Sequence, residues 1–188
     1  MEPLKLLIFR VKMKNLKLAI DTYYTEENAY TVGVFFSRWD DTEPLEVIKH
    51  TSKPAYPYVP GEFYKRELPC IMDLLGLVNF DTLSTIIVDG FIRIEKDGVM
   101  TPGLGEHLYD EVKDWGISII GVAKSKFEGC DKWSIPIIRK EGSNPLYVQG
   151  IGRYTDNMAA ELIKGMSGPN KLPTLLQILD RETKDINP

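Results

Sequence analysis

Two short runs of apolar, β-branched residues flank an amphipathic segment in the middle of this chain, and that arrangement limits the fold more than any other feature. Ile86 to Asp89 and Ile117 to Val122 lack polar alternation, as strands buried on both faces do. Between them Leu104, Leu108, Val112 and Trp115 recur as a helical stripe, and Gly116 suits a helix-to-strand turn. Strand, helix and strand at this spacing form a parallel crossover unit. Upstream, Leu16 to Asp21, Ala29 to Phe36 and Leu45 to His50 read as three strands. Thr25-Glu26-Glu27-Asn28 and Asp40-Asp41-Thr42-Glu43-Pro44 supply the turns between them. Connections this short favour an antiparallel meander, and residues 1 to 15 read as an extended segment leading into it.

The remaining elements fit the same plan. Phe91 to Met100 alternates around Lys96-Asp97-Gly98 as a small hairpin. Ser134 to Lys140 and Leu146 to Gln149 read as a further strand pair. Thr155 is placed to cap a helix whose Met158, Ala159, Leu162, Ile163 and Met166 face the core. Gly168-Pro169 stops that helix, and a last one spans Leu172 to Glu182 from Pro173. The expected fold class is α/β, a mixed sheet of antiparallel meander and parallel crossover strands with helices on its faces. At 188 residues and 43% hydrophobic composition, one domain is expected.

Acids punctuate this framework. Asp21 and Asp89 each end a strand. Pro57-Tyr58-Val59-Pro60-Gly61-Glu62-Phe63-Tyr64-Lys65-Arg66-Glu67-Leu68-Pro69 joins a stiff, extended loop to a helix with Glu67 in its first turns. Pro69 is tolerated without loss only in a first turn, so the helix is expected to begin late, around Tyr64 to Arg66. Two acids at the ends of buried strands, with a third on the intervening helix, are what a hard divalent cation needs. Taken singly, Asp21 or Asp89 is more often the cap of a nearby helix or the partner of a lysine.

A formal net charge of −4 argues against a protein that holds nucleic acid by bulk electrostatics, though not against local basic patches. Cys70 and Cys130 form no Cys-x-x-Cys pair and read as buried small hydrophobes in a reducing compartment. Lys5, Arg10 and Lys12 interrupt the apolar start too early for a secretory signal, and no apolar run approaches a membrane span. The expectation is a cytoplasmic, soluble monomer.

Four stretches, in order, resemble the endonuclease V family: Ala19-Ile20-Asp21-Thr22-Tyr23; Tyr58-Val59-Pro60-Gly61 with Arg66-Glu67-Leu68-Pro69; Val88-Asp89-Gly90; and Ile120-Gly121-Val122-Ala123-Lys124-Ser125. Members are nucleases of the ribonuclease H-like fold that cut deoxyinosine-containing DNA, or inosine-containing RNA, on the 3′ side of the lesion. The resemblance implies Asp21, Glu67 and Asp89 as ligands of magnesium, with manganese as a substitute, and Lys124 as a cation near the scissile phosphate. It implies Pro57, Tyr58, Val59 and Pro60 as a wedge that fills the gap left by the extruded base. Gly61, Phe63, Gly90 and Gly105 would line the pocket for that base. The partner is then nucleic acid, and the reaction metal-assisted phosphodiester hydrolysis.

The sequence departs from the family where Asp89-Gly90 is followed by Phe91-Ile92 rather than His-Gly, and where Thr101 precedes Pro102 in place of a second histidine. Ile151-Gly152-Arg153 replaces Gly-His-Arg, and His50 and His107 match neither family position. Two alternatives follow: a lesion-binding protein that cuts poorly, or a nuclease directed to inosine in RNA or to branched and flapped strands.

Overall fold

The computed structural model describes residues 15–54, 56, 57, 59, 60, 62–127 and 130–185. The N-terminal segment up to residue 14, Tyr58 and Gly61 lie outside the described residues. The chain begins with the expected meander, β1 (Leu16–Tyr24), β2 (Ala29–Phe36) and β3 (Glu46–Ser52), antiparallel throughout. All eight residues of β2 are buried, because it lies between two strands and under helices on both faces. There follow α1 (Phe63–Leu75), β4 (Leu83–Asp89), the hairpin β5 (Arg93–Lys96) and β6 (Val99–Pro102), α2 (Leu104–Val112) and β7 (Ser118–Ala123). The chain closes with β8 (Ile135–Ile137), β9 (Leu146–Ile151), α3 (Asp156–Gly165) and α4 (Thr174–Lys184).

Among the described residues seven strands form one sheet in the order β3-β2-β1-β4-β7-β9-β8, and β5 pairs only with β6. β1, β4 and β7 are mutually parallel, and the other pairs are antiparallel. The crossover read from the sequence is thus β4, α2 and β7. Alternation along the strands divides the core into two layers. Ala19, Val34, Ile87, Ile120 and Val148 face α3 and α4 through Ala159, Ile163, Leu175 and Leu179. Leu18, Ile20, Ile86, Val88 and Ile119 face α1 and α2 through Ile71, Leu74, Leu104 and Leu108. Helices therefore cover both faces, in the ribonuclease H-like manner. Among the described residues no helix is long and apolar enough to cross a membrane. Cys70 and Cys130 are both buried.

Three local expectations differ from the structure. α1 starts at Phe63, which puts Pro69 at its seventh residue and inside the helix. The Lys65 carbonyl loses its intrahelical partner; Lys65 is exposed, so water can take that bond, and burial of Ile71, Leu74 and Leu75 offsets the rest. Trp115 is 50% exposed, because residues 113–115 tighten into a single 3-10 turn that rotates it off the α2 stripe. It rests edge-on against Phe80. Met158 is 49% exposed, since α3 buries a narrow face of Ala159, Ala160 and Ile163. The cap does form: the Thr155 hydroxyl accepts from the Met158 N–H at 3.2 Å.

Candidate active site

Parallel strands deliver their carboxyl ends to one edge of the sheet, where open α/β folds place their ligand sites. The register pairs Ile20 with Val88 and Asp89 with Val122. Asp21, Asp89 and Lys124, the residue after β7, thereby reach one mouth. Glu67 comes in from the second turn of α1 at 5% exposure. All four line one cleft of about 510 Å³. The rest of its wall is largely apolar, with Phe63, Phe91, Ile94, Leu104 and Phe127 prominent.

Lys124 is the electrostatic centre. Its Nζ stands 2.8 Å from Asp89 Oδ2 and 2.8 Å from Asp180 Oδ1. Burial alone would lower its pKa, but Asp89, Asp180 and Asp21 more than offset that and hold the ammonium charged well above the ordinary lysine range. Asp180 also bonds Lys184 at 2.7 Å. Burial would raise its carboxyl, and the two lysines hold it below the usual range. Asp21 accepts the Thr22 N–H at 2.9 Å on one oxygen and the Thr183 hydroxyl at 3.4 Å on the other. Burial, with Asp89 adding repulsion, pushes Asp21 up to about 6. Burial pushes Glu67 up to about 8, and Asp21 adds to it against the pull of the Tyr24 and Thr22 hydroxyls.

These donors suit a hard divalent cation in chemistry: they are carboxylate oxygens, burial makes Asp21 and Glu67 reluctant to ionise without a cation, and they face an open cleft. Among the described residues no three acidic, histidine or cysteine side chains converge tightly enough to enclose a metal by themselves.

The loop after β4 forms the cleft's other side and is clamped from below. Gln149, fully buried in β9, accepts the Ile92 and Arg93 N–H groups at 2.7 and 2.9 Å and donates to the Arg93 and Trp133 carbonyls at 3.2 and 2.9 Å. Gly121 lets the loop lie on the sheet, since a Cβ there would stand 2.5 Å from the Gly90 carbonyl oxygen. Gly121→Ala is therefore expected to lower unfolding free energy by about 1–3 kcal/mol in urea denaturation, with circular dichroism retaining the native signature. Gly90 itself has φ +152°, a conformation closed to most side chains.

Of the other residues named from sequence, Phe63 and Gly90 line the cleft. Gly105 does not: it is buried against Ile92, with no room for a Cβ, and Gly103 stands in the wall instead. Pro57, Val59 and Pro60 are exposed ahead of α1, outside the cleft wall, with the Val59 carbonyl accepting the Glu62 N–H at 3.0 Å. Neither histidine is in the described wall, although His107 stacks at 3.8 Å on Tyr64, which is. Sequence reading missed Asp180, Thr183 and Gln149.

No family model matches the sequence, and no curated protein is significantly similar to it. Solved structures are. A Ciona intestinalis endonuclease V, crystallised with a 24mer DNA containing an inosine followed by a ribo-adenosine, superposes with a TM-score of 0.73 at 17% identity, over 90% of this chain and 84% of the other. Human ENDOV gives 0.70 at 18% identity, over 91% and 83%. The Streptomyces avermitilis endonuclease V gives 0.70 at 17% identity, over 90% and 79%. At such identities the likeness establishes the ribonuclease H-like fold that this chain shares with them.

Proposed function

We propose that this chain is a divergent endonuclease V: a metal-dependent nuclease, acting as a monomer, that hydrolyses the phosphodiester on the 3′ side of a deaminated purine. The observation that supports this most is the meeting of Asp21, Glu67, Asp89 and Lys124 in one cleft, on a fold shared with a protein crystallised on inosine-containing DNA. Asp21, Glu67 and Asp89 would hold magnesium, or manganese, which when bound polarises the phosphoryl oxygens and makes water acidic enough to attack at neutral pH.

The chain's own residues do the remainder. Lys124 is held charged between Asp89 and Asp180. An entering phosphate offers it a third anionic partner, and preorganised charge of this kind acts most strongly on the charge that builds in the transition state. Thr22 and Thr183 orient Asp21. The wall of Phe63, Phe91, Ile94 and Phe127 is apolar and suits a flat base turned out of the stack. Turning out costs least for a base that is already mispaired. The proline-rich loop ahead of α1 would occupy the gap left behind.

The test is a panel of end-labelled strands, with a single deoxyinosine in DNA, an inosine in RNA, and undamaged controls, incubated with magnesium, manganese or chelator. The expected result is one cut 3′ of the lesion that chelator abolishes. A protein that binds the lesion strand in every buffer and never cuts it would instead be a recogniser that has lost hydrolysis.

A further inference from the structure

We infer that a second groove, next to the cleft, binds the phosphate backbone of the strand being cut; this rests on the nuclease reading above. The groove measures about 530 Å³ and runs between the turn after β8 and the segment leading into α4. Lys140, Ser143, Asn170, Lys171 and Gln177 line it, with Glu141 the one carboxylate among the described residues. Leu172 is a wall common to this groove and to the small hollow under Asp21, Asp89 and Lys124. Lys171 Nζ donates to the Lys124 carbonyl at 2.8 Å. The two sites therefore touch.

A chain with net charge −4 repels a polyanion at long range, so its grip must come from cations left available near the site. Elsewhere many lysines and arginines are engaged: Arg38 by Asp40, Lys49 by Glu182, Lys65 by Glu62, Lys113 by Asp110 and Lys132 by Glu95. Lys140 and Lys171 have no carboxylate within ion-pair distance among the described residues. Their groove is also braced. Arg139 donates to the carbonyls of Lys164, Met166, Gly168 and Asn170, tying the exit of β8 to the segment between α3 and α4. The turn itself closes through the Ser143 N–H and hydroxyl, both donating to the Lys140 carbonyl, at 3.1 and 2.7 Å. Among the described residues the groove has no aromatic side chain in its lining, so these offer nothing for a base to stack on and much for phosphate oxygens. It would hold a strand irrespective of sequence, while the cleft reads the base.

The experiment measures fluorescence anisotropy of a labelled 21-nucleotide strand with a central deoxyinosine, in calcium to suppress cutting, across a salt series. It is repeated with a 7-nucleotide strand carrying the same lesion. Lys140→Glu is expected to weaken binding of the long strand about tenfold, and Lys140→Ala to reduce the salt slope by ~0.7, the value of one phosphate contact on a single strand. The short strand should show little of either change. Lys113→Glu, at the opposite end of β7, controls for net charge. Unchanged long-strand affinity and slope in both Lys140 variants, with wild type still binding and cutting, overturns the groove alone. Wild type that neither binds nor cuts overturns the nuclease reading and the groove together.

Discussion

Asp89→Ala is expected to reduce cleavage of a deoxyinosine strand by at least ~10³-fold while the strand is still bound. Asp89 ends the central strand β4, and its carboxylate holds Lys124 at 2.8 Å. Removing it takes away an oxygen donor for the metal and one side of the frame that aims the ammonium. The fold should tolerate the change, because Lys124 keeps Asp180 at 2.8 Å and is itself partly exposed, so no buried charge is orphaned. Binding should hold or tighten, since the cleft loses a negative charge that opposes phosphate. Cleavage rates under single-turnover conditions, with anisotropy on the same strand, separate the two effects. Wild-type turnover by the alanine variant would remove Asp89 from the chemistry and with it the proposed metal site.

What the sequence made legible follows from where the physics is local. Buried parallel strands need unbroken apolar, β-branched runs, so β4 and β7 are visible as Ile86-Ile87-Val88 and Ile119-Ile120 without any structure. Acids at the ends of such runs stand out against them, and Asp21 and Asp89 do reach one mouth. Asp180 is different. It sits among Leu179, Arg181 and Glu182 on an amphipathic helix, where an acid reads as a solvated face. Only the packing of α4 on β1 and β2 brings it to Lys124. Gln149 likewise reads as the outward polar residue of a strand. It is fully buried because the loop at Ile92 and Arg93 crosses above it, a contact between residues 56 and 57 positions apart. Gly105 was named as pocket lining on resemblance alone. The helix start that brings Leu104 into the wall turns Gly105 under it, against Ile92. The hairpin at Lys96-Asp97-Gly98 was legible from its turn residues, whereas its use of Ile94 as cleft wall was not.

Glu67→Gln should abolish cleavage and, in the same protein, raise stability at alkaline pH by about 2–4 kcal/mol. The folded protein keeps the Glu67 proton until about pH 8, whereas an unfolded chain releases it near the ordinary glutamate value of 4.5. Folding between those values therefore requires proton uptake and becomes less favourable as pH rises. Below about 4.5 both states are protonated and Glu67 costs nothing; above 8 both are ionised and the full cost of a desolvated carboxylate applies. Glutamine keeps the shape and offers the Tyr24 and Thr22 hydroxyls an amide without that charge. The gap in Tm between variant and wild type should thus be small at pH 5, widen to pH 8 and then level off. Asp21, raised to about 6 by its own burial, contributes wild-type pH dependence of the same sign and is common to both proteins. Magnesium should narrow the gap by stabilising wild type more than the variant, because a ligand stabilises only the state that binds it. A gap independent of pH would show that Glu67 is paid for by packing rather than charge, and an unaltered cutting rate would take it out of the metal site.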